Sequence, residues 1–348
     1  MKPLLILLLF AVSLQAEPAW TRLKSDEEIV FYPSIAQRVE GKTNLWRAEV
    51  RGCVFEPGQR RLMVAAFRKA VELKSDDMTS AEAEVFSQRA RLFLVDHERG
   101  KKVFIRLGTN EFYVGKSGAD GQFSGEISFA DSAGTSFVAV LSAGDERAFR
   151  GRVFPMEAEG VSVISDIDDT IKITEVRDRK ATLRNTFMRE FEAVPGMAQF
   201  YSSATNELNV SFHYVSASPW QLYEPLAALV KSNNFPAGTF ELKEFRWKDR
   251  SFFSLFANPE KYKPGVIEPL LKGFPKRTFV LIGDSGERDP EIYGALARKF
   301  PEQIARILIR DVTGESASPG RYQKAFRDVP IEKWQIFREP SEIKCLCE

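Results

Sequence analysis

The chain has 348 residues, with 49 lysines and arginines against 48 aspartates and glutamates, a formal net charge of +1 at pH 7, and 44% hydrophobic residues. So even a balance excludes recruitment by bulk electrostatics to nucleic acid or to an anionic membrane, and the composition is that of an ordinary globular protein long enough for two domains. Three cysteines and two histidines are too few for a disulfide framework and argue against zinc and serine-hydrolase mechanisms.

Met1-Lys2 followed by the apolar run Leu4 to Val12 has the charged start and short core of a secretory signal peptide. Cleavage after Ala16 is the expectation, giving a leader over 1–16 and a secreted or periplasmic product. The run is too short to span a bilayer comfortably, and an uncleaved anchor is the competing reading. Beyond it, Trp46, Ala48 and Val50 alternate with Arg47, Glu49 and Arg51, the pattern of a half-buried strand. Phe123, Gly125, Ile127 and Phe129 repeat that pattern after the turn Gly118-Ala-Asp-Gly121. Further strand-like runs occupy Val103 to Leu107, Phe112 to Val114 and Phe137 to Leu141. Short strands at this spacing predict a β-sandwich-like N-terminal domain over 17–155. It carries a helical insert, in which Leu62, Ala66, Ala70 and Leu73 fall at helical spacing and Thr79-Ser-Ala-Glu82 forms a capping box. Residue types that do chemistry do not cluster here, so the domain reads as a positioning module or a structural partner. Cys53 lies in a strand-like segment. Cys345 and Cys347 sit two apart near the end, where one could pair with Cys53 or with another chain.

From Gly160 strands alternate with helices, which predicts an α/β domain over 156–348 with a doubly wound parallel sheet and its crevice at the carboxyl ends of the strands. The run Val161-Ser-Val-Ile-Ser-Asp166-Ile-Asp168-Asp169-Thr170 delivers a buried strand into a cluster of carboxylates. These repel one another unless a cation sits among them, and hard oxygen ligands suit Mg²⁺. A surface Asp-rich turn or a helix cap is the bland alternative. Phe212-His-Tyr-Val-Ser216 and Val280-Leu-Ile-Gly283-Asp284 are further strands that would bring Ser216 and Asp284 to the same rim as Asp166. Asp289-Pro290-Glu291 also reads as a helix N-cap with proline at the first helical position. Lys261-Tyr-Lys263 is followed by Pro264 and Pro269, which predict a helix that is short, begins late or kinks. His213 reads as a packed core histidine, and Arg310-Asp311 closes a strand-like run, either as an outer pair of the rim or as a strand-end salt bridge. Between Thr170 and Ser216 there is room for one strand-helix unit and no bulky lid. The stretch 245–256, with Arg246, Trp247, Lys248, Arg250, Phe252 and Phe253, mixes cations with aromatics. Such a mixture suits phospholipid headgroups, stacking on single strands, or simply core phenylalanines between solvated charges.

The Asp166-x-Asp168-x-Thr170 loop, with Ser216, Lys263 and Gly283-Asp284, resembles the motifs of the haloacid dehalogenase superfamily. The fuller wording is Ser165-Asp-Ile-Asp-Asp-Thr-Ile-Lys172, Ser216-Ala-Ser-Pro-Trp220, Gly283-Asp-Ser-Gly-Glu-Arg-Asp-Pro-Glu291 and Ile309-Arg-Asp311-Val. It is similar to phosphatidate phosphatases related to the fungal actin-patch protein, closely from Val161 to Thr313 and more loosely before. The resemblance implies a haloacid dehalogenase-like phosphatase domain and a Mg²⁺-dependent phosphomonoesterase that hydrolyses phosphatidate to diacylglycerol and phosphate through an aspartyl-phosphate. In that reading Asp166 is the nucleophile and Asp168 the acid and base. Ser216 hydrogen-bonds a phosphoryl oxygen, and Lys263, with Lys261 as runner-up, neutralises the phosphoryl group. The metal is held by the Asp166 carboxylate, the Asp168 backbone carbonyl, Asp284 and Asp289, the last directly or through water. Asp169 shapes the loop and Thr170 orients it. The expected partner is a phospholipid or other phosphomonoester substrate, with peripheral membrane contact left open and no specific nucleic acid expected. Two alternatives stand beside it: a phosphatase for phosphoprotein or nucleic-acid phosphate, and a non-catalytic, divalent-ion-dependent envelope binding module.

Overall fold

The computed structural model of the chain describes residues 19–58, 61–70, 78–207, 210–243, 259–314, 320–343 and 346. The leader, the cation-aromatic stretch 245–256, Leu73, Cys345 and Cys347 lie outside them. Among the described residues no helix is long and apolar enough to cross a membrane.

The first part of the chain supplies β1 (Glu28–Tyr32), β2 (Ser34–Arg38), β3 (Leu45–Glu56), helices α1 (Arg61–Ala70) and α2 (Ser80–Phe93), then β4 (Asp96–His97), β5 (Lys102–Leu107), β6 (Asn110–Lys116), β7 (Gln122–Ala130), β8 (Ser136–Ala139) and β9 (Arg150–Met156). These strands form one sheet in the order β1-β3-β2-β9-β8-β5-β6, with β4 and β7 also paired to β3. The alternation read from the sequence is real: Trp46, Ala48 and Val50 are buried while Arg47 and Glu49 are exposed, and Phe123, Ile127 and Phe129 are buried while Ser124, Glu126 and Ser128 are exposed. The sheet folds over this apolar face, and β7 approaches β6 so closely that a Cβ at Gly125 would lie 1.6 Å from the Val114 carbonyl oxygen. Phe31 packs edge-on against Phe123 and Phe137, with ring centroids 5.6 and 5.0 Å away.

The second part contains β10 (Glu159–Asp166), α3 (Arg179–Phe187), α4 (Met197–Glu207), β11 (Val210–Pro219), α5 (Tyr223–Ser232), β12 (Gly238–Lys243), α6 (Pro259–Gly273), β13 (Lys276–Asp284), α7 (Asp289–Lys299), β14 (Ile304–Arg310), α8 (Gly320–Ala325) and β15 (Trp334–Phe337). All six strands run parallel in the order β12-β11-β10-β13-β14-β15. Both faces are covered, because adjacent residues of one strand enter different cores. Val163 joins Phe187, Met197 and Leu226, whereas Ile164 joins Ile267, Leu271 and Leu296. From β10 the chain builds outward one way through β11 and β12 and the other way through β13, β14 and β15. The order therefore reverses between β10 and β13, and the crevice belongs at their carboxyl ends.

Three expectations are corrected. In α1, among the residues whose burial is described, Phe67 is buried and Ala66 exposed; the bulkier side chain takes the inward position. Between Thr170 and Ser216 the chain forms two helices, α3 and α4, where one strand-helix unit was expected. Helix α6 is neither short nor late, since it starts at Pro259 and runs through both Pro264 and Pro269. Its buried stripe, Lys263, Ile267 and Leu271, has i, i+4 spacing, and Gly265 and Pro269 are exposed, so packing of one face offsets the weak backbone of the other.

The two parts share surfaces. Phe67, Phe86 and Phe93 pack in the same core as Val163 and Phe187. The Tyr32 ring stacks on Trp220 with centroids 4.0 Å apart. Arg277, at the start of β13, donates to the carbonyls of Glu157, Glu159 and Val161 and so ties down the segment joining the two sheets.

Candidate active site

Asp166 is the last residue of β10 and Asp284 the last of β13, so the neighbouring strands of the switch point deliver two carboxylates to one rim. Asp289, at the first position of α7, supplies a third. One oxygen from each lies within 4.8 Å of the others, and all three residues are buried. Space for this convergence depends on Gly283, where a Cβ would lie 2.2 Å from Asp289 Oδ2. The capping expectation for Asp289 is corrected by one position. Arg288 is the N-cap and bonds through no side chain, while the Asp289 carboxylate turns inward, accepting from the Asp284 N–H at 3.3 Å and from Lys263 Nζ.

Lys263 comes up from α6 beneath this cluster and is fully buried. Its ammonium lies 2.8 Å from Asp166 Oδ1 and 3.1 Å from Glu287 Oε2, as well as against Asp289. Lys261 is exposed and takes no part. Burial pushes the Asp166 carboxyl well above its ordinary range, with Asp289 and Asp284 adding to the rise and Lys263 opposing it. Burial does the same to Asp284, reinforced by Asp289. Four acidic side chains thus face one ammonium. Asp284 Oδ2 is buried without a hydrogen-bond partner, while Oδ1 accepts from the Gly286 N–H at 2.6 Å. An orphaned oxygen among buried carboxylates is what a hard divalent cation satisfies, and the donor set is all oxygen. Asp166, Asp284 and Asp289 are the side chains that could hold one.

Asp168 is placed differently. Its carboxylate is not one of the clustered three and accepts from Lys172 Nζ at 2.8 Å, Thr174 Oγ1 at 2.8 Å, Ser216 Oγ at 2.8 Å and Ser218 Oγ at 3.0 Å. Burial favours its neutral form, yet Lys172 first, and then the hydroxyl donors, hold it well below the usual carboxylate range. The side chain that sequence reasoning gave to the metal cluster only through its backbone is therefore a fixed, ionised group beside it. Ser216 contacts Asp168 as well as accepting from the Ser218 N–H at 2.9 Å.

The loop is built to hold these positions. Asp169 adopts a left-handed φ of 55°, and its carboxylate accepts the N–H groups of Thr174, Glu175 and Val176. Thr170 Oγ1 donates to Asp166 Oδ2 at 3.0 Å, leaving the Oδ1 edge to Lys263. Arg310 reaches the Asp169 carbonyl at 2.7 Å, whereas Asp311 pairs with Arg338, so the two close opposite contacts and not one pair. His213 is a core residue, bonded to Thr239 and Ser162, and burial pushes its pKa down to about 3. Lys172, Thr174 and Glu287 are the contributors that sequence reasoning did not assign. Two of them stood inside the quoted motifs, but the partners of a loop side chain depend on directions that spacing does not encode.

Comparison with known proteins bears on residues 161–311, which match the model of the catalytic domain of phosphatidate phosphatase APP1. Phosphatidate phosphatase APP1 of Saccharomyces cerevisiae is 40% identical over 188 residues, 53% of this chain and 30% of the yeast protein. An uncharacterized protein of Schizosaccharomyces pombe is 32% identical over 173 residues, 49% of this chain and 28% of that one. The chain thus spans less than a third of the length of these relatives. A solved Pnkp1/Rnl/Hen1 complex aligns over 46% of this chain and 53% of its own at 13% identity, with a TM-score of 0.31, too slight a likeness to carry an argument.

Proposed function

With residues 161–311 related to the phosphatidate phosphatase catalytic domain, we propose that this chain is a phosphomonoesterase of haloacid dehalogenase type acting on phosphatidate. The observation that carries the reading is the buried triad Asp166, Asp284 and Asp289 around an unsatisfied oxygen, with Lys263 beneath it. A Mg²⁺ ion held there supplies positive charge that offsets repulsion between a carboxylate and a phosphate dianion.

The chain's own residues do the rest. Asp166 attacks phosphorus, with Thr170 and Lys263 fixing one oxygen each of its carboxylate. Asp168 manages protons: protonated once the anionic substrate lies beside it, it gives that proton to the leaving alcohol as the P–O bond breaks, and the carboxylate so formed takes a proton from the water that attacks the aspartyl-phosphate. The ionised form that Lys172, Thr174, Ser216 and Ser218 hold is the one the second displacement requires. Ser216 and Ser218 line the side of the crevice where the transferred group's oxygens would lie. The leader over 1–16 supports export as the setting, and the stretch 245–256 supports contact with a lipid surface.

Purified protein should release phosphate from phosphatidate vesicles with Mg²⁺ and not with chelator. Asp166→Asn should abolish release while leaving the fold intact by circular dichroism. Full activity in that variant removes the covalent mechanism. Release from phosphopeptides or from an end-phosphorylated oligonucleotide, but not from vesicles, moves the substrate to the alternatives.

A further inference from the structure

We propose that the groove between α5 and β9 is a binding site for a single-chain anionic amphiphile, with the acyl chain along an apolar floor and its carboxylate on a cationic rim. The groove has a volume of about 650 Å³ and is walled by both halves of the molecule. On one side α5 presents Tyr223, Ala227, Val230 and Lys231, whose spacing is that of a single helical face. On the other, Arg150, Arg152 and Phe154 alternate along β9 onto one face of the sheet. Phe31, Phe235 and Phe240, all buried, form the floor.

Charge selects the occupant. Arg150, Arg152 and Lys231 are exposed, and the lining contains three cations and no aspartate or glutamate. None of the three makes an ion pair with a carboxylate among the described residues. The Arg152 guanidinium lies over the Phe154 ring, 4.8 Å from its centroid, which sets a cation at the boundary between rim and floor. An amphiphile with one acidic head and one chain matches that order of cation, aromatic and aliphatic surface. A bilayer does not, because a flat surface cannot reach a floor recessed between two walls. The site uses no residue of the catalytic rim and stands independently of the phosphatase reading.

Calorimetric titration of the full chain with dodecanoate, kept below its micelle concentration, decides the matter. Saturable one-to-one binding is expected, with dodecanol and acetate each weaker by about tenfold or more, since each lacks one of the two recognised parts. Combining Arg150→Glu, Arg152→Glu and Lys231→Glu should weaken dodecanoate by about tenfold or more. Ala227→Trp, which fills the groove without touching a charge, should abolish binding and serves where the charge variant fails to fold. Asp166→Asn should bind as the parent does; loss there places the ligand in the catalytic rim and overturns the proposal. No saturable binding by the parent chain, unchanged binding in Ala227→Trp, or sedimentation with anionic vesicles without binding of monomeric dodecanoate each overturns it too. Hydrolysis of p-nitrophenyl phosphate should be unaffected in the groove variants, so failure here and failure of the phosphatase reading are read on separate axes.

Discussion

A carboxylate is a useful acid or base only in so far as its surroundings let it change partners, and Asp168 already has four donors. Lys172 is the costliest to remove, because it is the one full positive charge on that side chain and is 1% exposed, its ammonium also lying over the Phe191 ring, 4.9 Å from the centroid. In the proposed reaction, Lys172→Met leaves burial without its main counterweight and so raises the Asp168 pKa, which weakens it as the base of the second displacement and should lower turnover of an alkyl phosphate and of p-nitrophenyl phosphate alike, by on the order of tenfold or more near neutral pH. Raising the pH should restore much of the loss, because the ionised form returns. A loss that does not change with pH would show that Lys172 serves the fold and not the proton. His213 gives a pH test of stability. The unfolded chain takes up its proton near the ordinary 6.5, but the folded chain holds the imidazole neutral down to about 3. Protons therefore favour the unfolded state across that window. The stability lost between pH 6.5 and 3 accrues at up to about 1.4 kcal/mol per pH unit. His213→Gln, which keeps partners for Thr239 and Ser162, should flatten that part of the curve. Urea midpoints that fall as steeply in the variant as in the parent would assign the acid limb to other groups. At this scale the sequence was legible wherever a strand ends. Asp166 and Asp284 could be placed together because apolar runs deliver them to one rim. That Asp168 turns to Lys172, and that Glu287 joins Lys263, depends on side-chain directions within loops.

Between β13 and α7, position comes from backbone contact. Gly283 lets the Asp289 carboxylate lie across the end of the strand, where a Cβ would meet Oδ2 at 2.2 Å and Asp289 Cβ at 2.8 Å. Neither of those atoms has a free path, since Oδ2 accepts from the Asp284 N–H and Oδ1 contacts a buried lysine. Gly283→Ala should therefore push α7 and its carboxylate outward. The expected result is weaker Mg²⁺ binding by on the order of tenfold or more, read by calorimetry, and a loss of stability of about 1–3 kcal/mol from the overpacked site. Parent-like Mg²⁺ affinity in this variant would mean that Asp289 is not a ligand. Helix α6 shows where element-level reading from the sequence fails. Two prolines argue against a long helix locally, but Lys263, Ile267 and Leu271 gain a common buried face only if the helix spans them, and tertiary packing outweighs the propensity.

Taken as a whole, the molecule packs residues from both sides of the point where its sequence pattern changes into one core. The rhythm shifts from short strands to strand-helix alternation near Gly160, yet α1 and α2, which precede that shift, bury Phe67, Phe86 and Phe93 in the core beneath the second sheet. Phe187 of α3 has its ring centroid 5.7 Å from that of Phe67 and 5.5 Å from that of Phe93. Arg184 of the same helix bonds Glu82 at 2.5 Å. Periodicity reports which face of a helix is buried and says nothing of which sheet buries it, so this arrangement was not readable from the sequence. Removing residues 1–155 would expose the Phe187 face of α3 and the Trp220 ring that Tyr32 covers, a continuous apolar surface on the remaining half. Because the first half completes a core of the second, the full chain should unfold in a single calorimetric transition, and the fragment 156–348 should lose cooperativity or aggregate. A fragment that melts as sharply and at the same temperature as its counterpart in the full chain would show that α1 and α2 cover the second half without holding it together.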